Sequence, residues 1–476
     1  AAEDADCGDI LVFLPGTGEI RGAEAALADW AIDAEVAVLP LHGSLTAEAQ
    51  DLALAEDPHG RRKVVLATNV AETSVTIPGV RTVIDTGLAR VARFDPDAGL
   101  DRLLLERIPR SSADQRAGRA GRTAPGRCWR LWSNLEDHRL AAFADPEIAR
   151  VDLAPTLLAL KRWHGDDPRT FPWFTPPTPE RLQAGEDLLA RLGATTGPWK
   201  GLTRLGEALL RLPVHPRLGR LLLDARDQGV PRLGATLAAL VSERDLRPPG
   251  ARRGGGGISD AADRVEALAR AEQQRFHPRL RDEGIDPIAA REAAKVRDDL
   301  LGLIRAARAD DDPQRADAAV SARLLLAAFP DRVAKRTSAT ANTCAMVGGI
   351  GVEIDRGSAC LAATGQKRSE LVLCYGLQAV GDAVRSKSHA RACAELDESD
   401  LEAVFPGRIQ RRELVTWDAG RDSVTGLVGW YWDDLCLRAK PGAQVAAEAV
   451  ADCLFNALAP QVRTLFTGDE RCASLL

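Results

Sequence analysis

The sequence predicts an α/β domain built on a parallel sheet, then a mainly helical region, then a small β-barrel. Three observations carry this. Over about the first 130 residues, short apolar, β-branched runs alternate with helical patterns, as in strands buried on both faces of a parallel sheet. Beyond Val151 the apolar spacing becomes helical. After Pro330, strand-like runs return, separated by glycine- and charge-rich turns, as in a small barrel. The 476 residues suffice for three or four domains, at about 100–200 residues each.

Taken in order, residues 10–14 (ILVFL) form the first strand, and GTGE at 16–19 turns the chain into a helix over 20–30. Residues 35–39 are a second strand, followed by LHGSL and a helix over 46–55. KVVLA at 63–67 is a third strand and TVID at 82–85 a fourth. Ligands of such sheets gather at the carboxyl ends of the strands, and Thr68 and Asn69 stand at one such end. FDPDAGLDRLLLERI then reads as a hairpin turning at DPDAG. DLAPTLLALKRW is one helix, and PTPERLQAGEDLLARLGA another that ends at a glycine. LTRLGEALLRLPVHPRLGRLLLDARDQG holds two amphipathic stretches split by LPVHP. ARRGGGGISD is a flexible loop before a charged helical tract reaching about Arg308. AMVGGIGVEI and SELVLCYGLQAV are barrel strands, and from Arg411 strands mix with a helix.

Hydrophobic residues make up 45% and charged residues 27%, a soluble globular balance. The net charge of −6 excludes a global basic field, so any anion must be held by local arrangement. Arginine greatly outnumbers lysine, which reflects either GC-rich coding or a functional preference. Nine scattered cysteines form no C-x-x-C pair, which argues against a zinc site and a disulfide framework. Buried free thiols in a reducing cytoplasm are expected instead. No apolar run approaches the ~18–20 residues of a spanning helix, and no signal peptide opens the chain. Residue 1 is alanine and the only methionine is Met346, so the chain is expected to begin partway through a longer reading frame. The lack of a helix-ending signal before Leu476 suggests the same for the other end.

Two segments carry chemistry. RKVVLATNVAETSVTIPGV gathers Thr68, Thr73, Ser74 and Thr76, which can donate to phosphate or ribose oxygens, and Asn69, which can bridge to a neighbour. The same residue types also suit ordinary turns. About forty residues later, DQRAGRAGRT places three arginines and two glycines within seven positions. A helix running on from Gln115 would set Gln115, Arg119 and Arg122 at i, i+4 and i+7, on one face. Like charges at such spacing cost about 0.2–0.5 kcal/mol per pair, so an anionic partner is expected. Guanidinium matches phosphate with paired hydrogen bonds. Arginines that neutralise a transferring phosphoryl group contribute about 10³–10⁵ in rate. Gln115 on that face could orient an attacking water.

VVLATNVAETSVTIPGV and QRAGRAGRTAPGRCWRLW resemble motifs V and VI of the DEAH-box helicases of superfamily 2. LVFLPGTGEI looks like their motif IV, LHGSL like motif IVa, and FDPDAGLDRLLLERI sits where they carry a β-hairpin. LTRLGEALLRLPVHPRLGRLLLDA is similar to the start of their ratchet domain. LARVARFDP, LVSERD and ELVTWDAGRDSVTGLV are similar to the bacterial HrpB branch. The resemblance implies a second RecA-like domain over 1–134, a winged helix over 135–201 and a helical ratchet over 202–330. It implies an OB-like barrel over 331–410 and the start of an HrpB-type C-terminal region over 411–476. It implies ATP with Mg2+ as nucleotide, single-stranded nucleic acid (RNA by family preference) as partner, a cytoplasmic location and no membrane contact. Gln115 would position the hydrolytic water, Arg119 and Arg122 would be arginine fingers on the γ-phosphate, and Thr76 would lie near the ribose. Thr68 and Asn69 would touch the strand backbone, with Ser74 linking that contact to the nucleotide.

Departures from the family pattern are informative. Pro78 replaces an acidic residue near the ribose and brings neither an acceptor side chain nor an N–H. Leu54 stands about where eukaryotic relatives place a phenylalanine against the base. No G-x-x-x-x-G-K-[ST] loop occurs, and DEGI at 282–285 is a chance echo of a DEAH box. In the family both elements belong to a first RecA-like domain, the expected partner lobe and the main holder of Mg2+. The chain is thus expected to be an internal fragment carrying half an ATP site, unable to hydrolyse ATP alone. The alternative is a non-catalytic nucleic-acid-binding scaffold, against which the intact Gln115, Arg119 and Arg122 count. His42 and His215 are expected to be structural, and Trp129 and Trp132 to be core. Arg408, Arg411 and Arg412 either meet RNA or form a solvated face.

Overall fold

The structure is a computed structural model. It describes residues 8–43, 45–73, 76–95, 100–122, 124–165, 167–247, 257–305, 317–363, 365–380, 387–418, 423–441 and 447–466. The chain divides into two compact units, the first comprising Ala1–Asp95 with Leu100–Asp152 and the second Pro96–Gly99 with Leu153–Leu476.

The first unit is built on five parallel strands: β1 (Asp9–Phe13), β2 (Ala37–Leu41), β3 (Lys63–Ala67), β4 (Val80–Asp85) and, after a two-stranded ribbon, β7 (Arg127–Arg130). Their spatial order is β2-β3-β1-β4-β7. Phe13 lies opposite Ala67 on one side and Asp85 on the other, so the strands end together along one edge. The middle strands run through the core: all five residues of β3 are buried, and Leu11, Phe13, Val65 and Val83 are at most 1% exposed. Helices α1 (Thr17–Asp33) and α2 (Ala47–Leu54) follow β1 and β2. Strand β2 starts two residues later than expected, because Glu35 adopts a left-handed φ of 52° in the turn out of α1. The ribbon pairs β5 (Leu88–Asp95) with β6 (Leu100–Arg107), antiparallel from Leu88–Arg107 to Asp95–Leu100. Its expected turn at 96–99 lies outside the described residues. It feeds α3 (Arg110–Ala117), and α4 (Asn134–Arg139) follows β7 behind a capping box of Ser133 and Glu136.

Strand β7 brings a correction. Trp129, expected in the core, is 53% exposed on it, and Trp132 is half-buried with its indole N–H on Asp137 at 2.9 Å. As a sheet-edge strand, β7 alternates exposed and half-buried residues, and Trp129 falls on the open side.

The second unit begins with helices α5 (Ala154–Trp163), α6 (Pro179–Arg191), α7 (Arg204–Leu210), α8 (Pro216–Asp227), α9 (Pro231–Ser242), α10 (Asp260–Gln273), α11 (Pro287–Leu303) and α12 (Ala318–Ala328). Proline opens α8, α9 and α11, where its missing N–H costs nothing. His215, expected to be structural, caps α8 by accepting from the Arg217 N–H at 3.2 Å. Strands β8 (Val333–Arg336), β9 (Thr343–Met346), β10 (Ile350–Ile354), β11 (Leu371–Val380) and β12 (Lys387–Leu396) close into a barrel in the order β10-β12-β11-β8-β9. Fully buried Asp260 at the start of α10 clasps that barrel, accepting from Ala359 N–H at 2.9 Å, Cys393 N–H at 2.8 Å and the Ser358 hydroxyl at 2.5 Å. After α13 (Glu398–Val404), the sheet β13 (Gln410–Asp418), β14 (Ser423–Trp432) and β15 (Leu435–Pro441) follows, with α14 (Ala447–Phe466) behind it. Among the described residues, no helix is long and apolar enough to cross a membrane, and no cluster of three metal-ligating side chains occurs.

Candidate nucleotide and nucleic-acid site

Strand β3 delivers the chain to the edge where the parallel strands end. Thr68 is half-buried there, its N–H donating to the Leu41 carbonyl at 3.2 Å. Residues Asn69–Ala71 then make one 3₁₀ turn. Its two ends are treated differently: Asn69 is exposed and Ala71 is 1% exposed and locked into the sheet core, while Glu72, just beyond, is half-buried. Thr76 is exposed, and Ser74 lies outside the described residues.

The arginine segment departs from expectation. Helix α3 stops at Ala117, and the chain continues in turns, with Arg119 N–H on the Arg116 carbonyl at 3.0 Å and Ala120 N–H on the Ala117 carbonyl at 3.1 Å. Gln115, Arg119 and Arg122 therefore do not share one helix face. Glycine at 118 and 121 weakens a helical continuation by about 1 kcal/mol each. Ala120, 3% exposed, packs into the sheet core. Behind it, a Cβ on Gly126 would stand 2.1 Å from the Ala120 carbonyl oxygen, so only glycine lets the chain enter β7 so close to the turn.

The three arginines consequently have three environments. Arg116 is 1% exposed and points inward. It donates to Asp85 Oδ1 at 2.8 Å, Glu72 Oε2 at 3.0 Å and the Leu88 carbonyl at 3.2 Å, with its guanidinium 4.8 Å from the Phe13 ring centre. Arg119 is 9% exposed and donates to the Glu72 carbonyl. Burial, with the charge of Arg122 beside it, lowers its pKa from the ordinary guanidinium value, against an opposing pull from Glu72. Arg122 is exposed and donates to the Thr76 hydroxyl. Gln115 is exposed on α3.

The two segments singled out in the sequence thus meet, and Glu72 is where they join: its carboxylate holds Arg116 and its carbonyl holds Arg119. Glu72, Arg116 and Asp85 were missed as members of this cluster. The only hint was an acidic residue, Glu72, amid the hydroxyl and amide groups of ATNVAETS. Neighbouring residues of the one short turn line different spaces. Ala71, Arg119 and Arg122 border a small void of about 10 Å³ with Leu11, Ile77 and Val80. Asn69 and Glu72 border a cleft of about 630 Å³ together with Val91, Arg93 and Glu106 of the ribbon. Leu54 packs partly buried against the sheet core, and Pro78 is exposed.

Residues 3–124, most of the first unit, match the helicase conserved C-terminal domain family. The ATP-dependent RNA helicase HrpB of Escherichia coli (strain K12) is 30% identical over 453 residues, 95% of this chain and 50% of that protein. The ATP-dependent RNA helicase HrpA of the same organism is 39% identical over 244 residues, 50% of this chain and 18% of that one. The crystal structure of the E. coli DExH-box NTPase HrpB superposes with a TM-score of 0.58 at 30% identity, covering 96% of this chain and 51% of the other. The chain is a homologue of the HrpB-type DEAH-box helicases, and it spans about half the length of HrpB.

Proposed function

We propose that the chain supplies the second motor lobe and accessory domains of an ATP-dependent helicase acting on single-stranded nucleic acid, RNA being the substrate named for its relatives. The observation that carries this is the Glu72 junction, which ties the arginines to the turn bearing Asn69. Arg119 and Arg122 act as fingers on the γ-phosphate of ATP, with Gln115 orienting the water. The donor set suits an anion: two guanidiniums and the Thr76 hydroxyl stand together. On nucleotide binding Arg122 exchanges Thr76 for phosphate oxygen, and Thr76 becomes available to the ribose. The partial burial of Arg119 strengthens its pull on developing charge, because a desolvated charge acts through a lower effective dielectric. Thr68 and Asn69 hold the strand backbone, and Ser74 links that contact to the nucleotide. Contacts to phosphate and sugar carry little sequence information, so low sequence preference follows.

The sequence contains no phosphate-cradling lysine loop, so Mg2+ and the remaining half of the nucleotide site fall to a first RecA-like lobe. In this reading the chain is cytoplasmic and inactive without that lobe. Residues 135–201 serve as winged helix, 202–330 as ratchet, 331–410 as an OB-like barrel and 411–476 as an HrpB-type extension. The test is RNA-stimulated ATP turnover by the chain joined to a first helicase lobe. Arg119→Ala should reduce turnover by about 10³-fold or more while leaving strand binding nearly unchanged. Turnover that survives the substitution would remove the finger assignment.

A further inference from the structure

The second unit holds a second arginine-rich site, remote in sequence from the helicase motifs. A groove of about 750 Å³ is lined by Arg191, Arg220, Arg408 and Arg412, and among the described residues Asp433 is the one carboxylate in its wall. Arg220 is neutralised from behind by Asp224 at 2.9 Å, which still leaves two guanidiniums in excess. The sequence alone left Arg408 and Arg412 undecided between an RNA contact and a solvated face.

The structure separates their roles. Arg408 is a fixed strut: it grips Asp433 at 3.0 Å, donates to the Arg191 carbonyl at 3.0 Å and lies 4.5 Å from the Trp432 ring centre and 5.1 Å from that of Phe405. Asp433 is turned towards it by a left-handed φ of 52° in the β14–β15 turn. Arg191 reaches the same carboxylate at 3.1 Å but keeps 36% of its side chain exposed. Arg412 is half-buried, resting 5.1 Å from the Tyr431 ring centre and donating to the Gln410 side-chain oxygen at 2.8 Å. One carboxylate is thus shared by two guanidiniums, and a third is held by a neutral amide and an aromatic ring. Such an arrangement presents preset guanidinium forks whose charge the protein itself does not cancel. Those forks match the paired oxygens of a phosphodiester.

We propose that this groove binds the sugar-phosphate backbone of a single-stranded nucleic acid, with Arg191 and Arg412 each taking one phosphate. The assignment rests on the reading that the chain acts on such a strand. It gives the 411–476 region, with the end of α6, a direct part in holding it. Removing one arginine from a phosphate of a single strand lowers the slope of log affinity against log salt by about 0.7.

The test uses a fluorescein-labelled oligouridylate titrated with the 476-residue chain across a salt series. Arg412→Gln should lower the slope by about 0.7, which is about fivefold in affinity at 0.1 M salt. Arg191→Gln combined with Arg412→Gln should lower it by about 1.4, or about 25-fold. Arg226→Gln, exposed and outside the groove, should do neither. An abasic phosphodiester strand should compete as well as the oligouridylate, and polyglutamate poorly. Unchanged slopes, an equal loss from Arg226→Gln, failure of the abasic strand to compete, or preference for polyglutamate would each overturn the groove while leaving the helicase reading intact. If the unaltered chain binds no strand, both fall. Arg412→Gln removes no buried ion pair, so a folding defect would not obscure the result.

Discussion

Replacing Arg116 by methionine should damage the first unit far more than replacing either neighbouring arginine. The perturbation leaves Asp85, 0% exposed, without its guanidinium at 2.8 Å, and leaves half-buried Glu72 without its partner at 3.0 Å. Among the described residues, only the Gly87 N–H at 2.9 Å would still serve Asp85 Oδ1, and none serves buried Oδ2. Breaking one side of a buried pair costs about 3–5 kcal/mol. Core-strand amides that exchange through opening of the whole unit should then exchange about 150–4,000-fold faster. Hydrogen exchange followed on peptides from β1, β3 and β4 reads this unit apart from the second. Adding Asp85→Asn removes the orphaned charge while keeping the acceptor for Gly87, and should recover most of the loss. Acceleration of less than about tenfold would refute the reasoning. So would a double variant whose losses simply add, since then the pair is not coupled. Arg119→Ala and Arg122→Ala, at the surface end of the cluster, should change exchange of these strands little.

Two further outcomes follow from the second unit. Burial alone would raise the pKa of Asp331, but the charge and paired hydrogen bonds of Arg217, at 2.6 and 2.8 Å, hold it well below the usual carboxylate range. Its folded pKa is depressed, so the unfolded chain takes up the proton first as pH falls. The pair's contribution is therefore whole above about pH 4 and is lost as pH drops through the folded value. The stability gap between the native chain and Asp331→Asn, measured by denaturation at stepped pH, should shrink steadily below pH ~4, and a constant gap would contradict it. The barrel thiols should be inert: burial pushes Cys344 up to about 11 and raises Cys360 further. At pH 8 a thiol of pKa ~11 is thiolate in about one part in a thousand, so iodoacetamide should spare both until the barrel unfolds. Prompt labelling of Cys360 in the folded chain would show that the barrel is open there.

How far the sequence was readable depended on what each residue's neighbours are. Strands β1 and β3 were legible because burial on both faces makes them nearly continuous apolar runs, and β4 because Val83 and Ile84 follow a buried, β-branched Thr82. Strand β7 was not, because RCWR is an edge strand whose exposed side tolerates arginine and tryptophan. The presence of the arginine cluster was legible from composition, but its shape was not. A spacing of four then three suits a helix, yet two glycines and the buried Ala120 make turns of the same stretch. Glu72 was invisible because its partners lie 44 and 47 positions away, and only the parallel register of β3, β1 and β4 brings them together. For Arg408, an undecided reading gave way once Asp433, Phe405 and Trp432 appeared around it, Asp433 lying 25 positions away in the chain.

In the proposed motor, the same turn would link the strand contact to the arginines. Ala71 is fixed in the core, so the 3₁₀ turn from Asn69 has little freedom to absorb a displacement within itself. A pull on Glu72, through either Arg116 or Arg119, must then move Asn69 or strain the turn. Exchange of Arg119 from the Glu72 carbonyl to a phosphate would release one of those two holds and leave the other. Coupling of this kind needs a short, packed connection with two discrete partners for the same group, which in the proposed reading would be the Glu72 carbonyl and a phosphate for Arg119. Glu72→Gln keeps the carbonyl and weakens only the hold on Arg116. It should therefore alter how strongly strand binding stimulates turnover in the joined enzyme, more than it alters unstimulated turnover. Equal effects on both rates would mean that Glu72 supports the fold and carries no signal between the two sites.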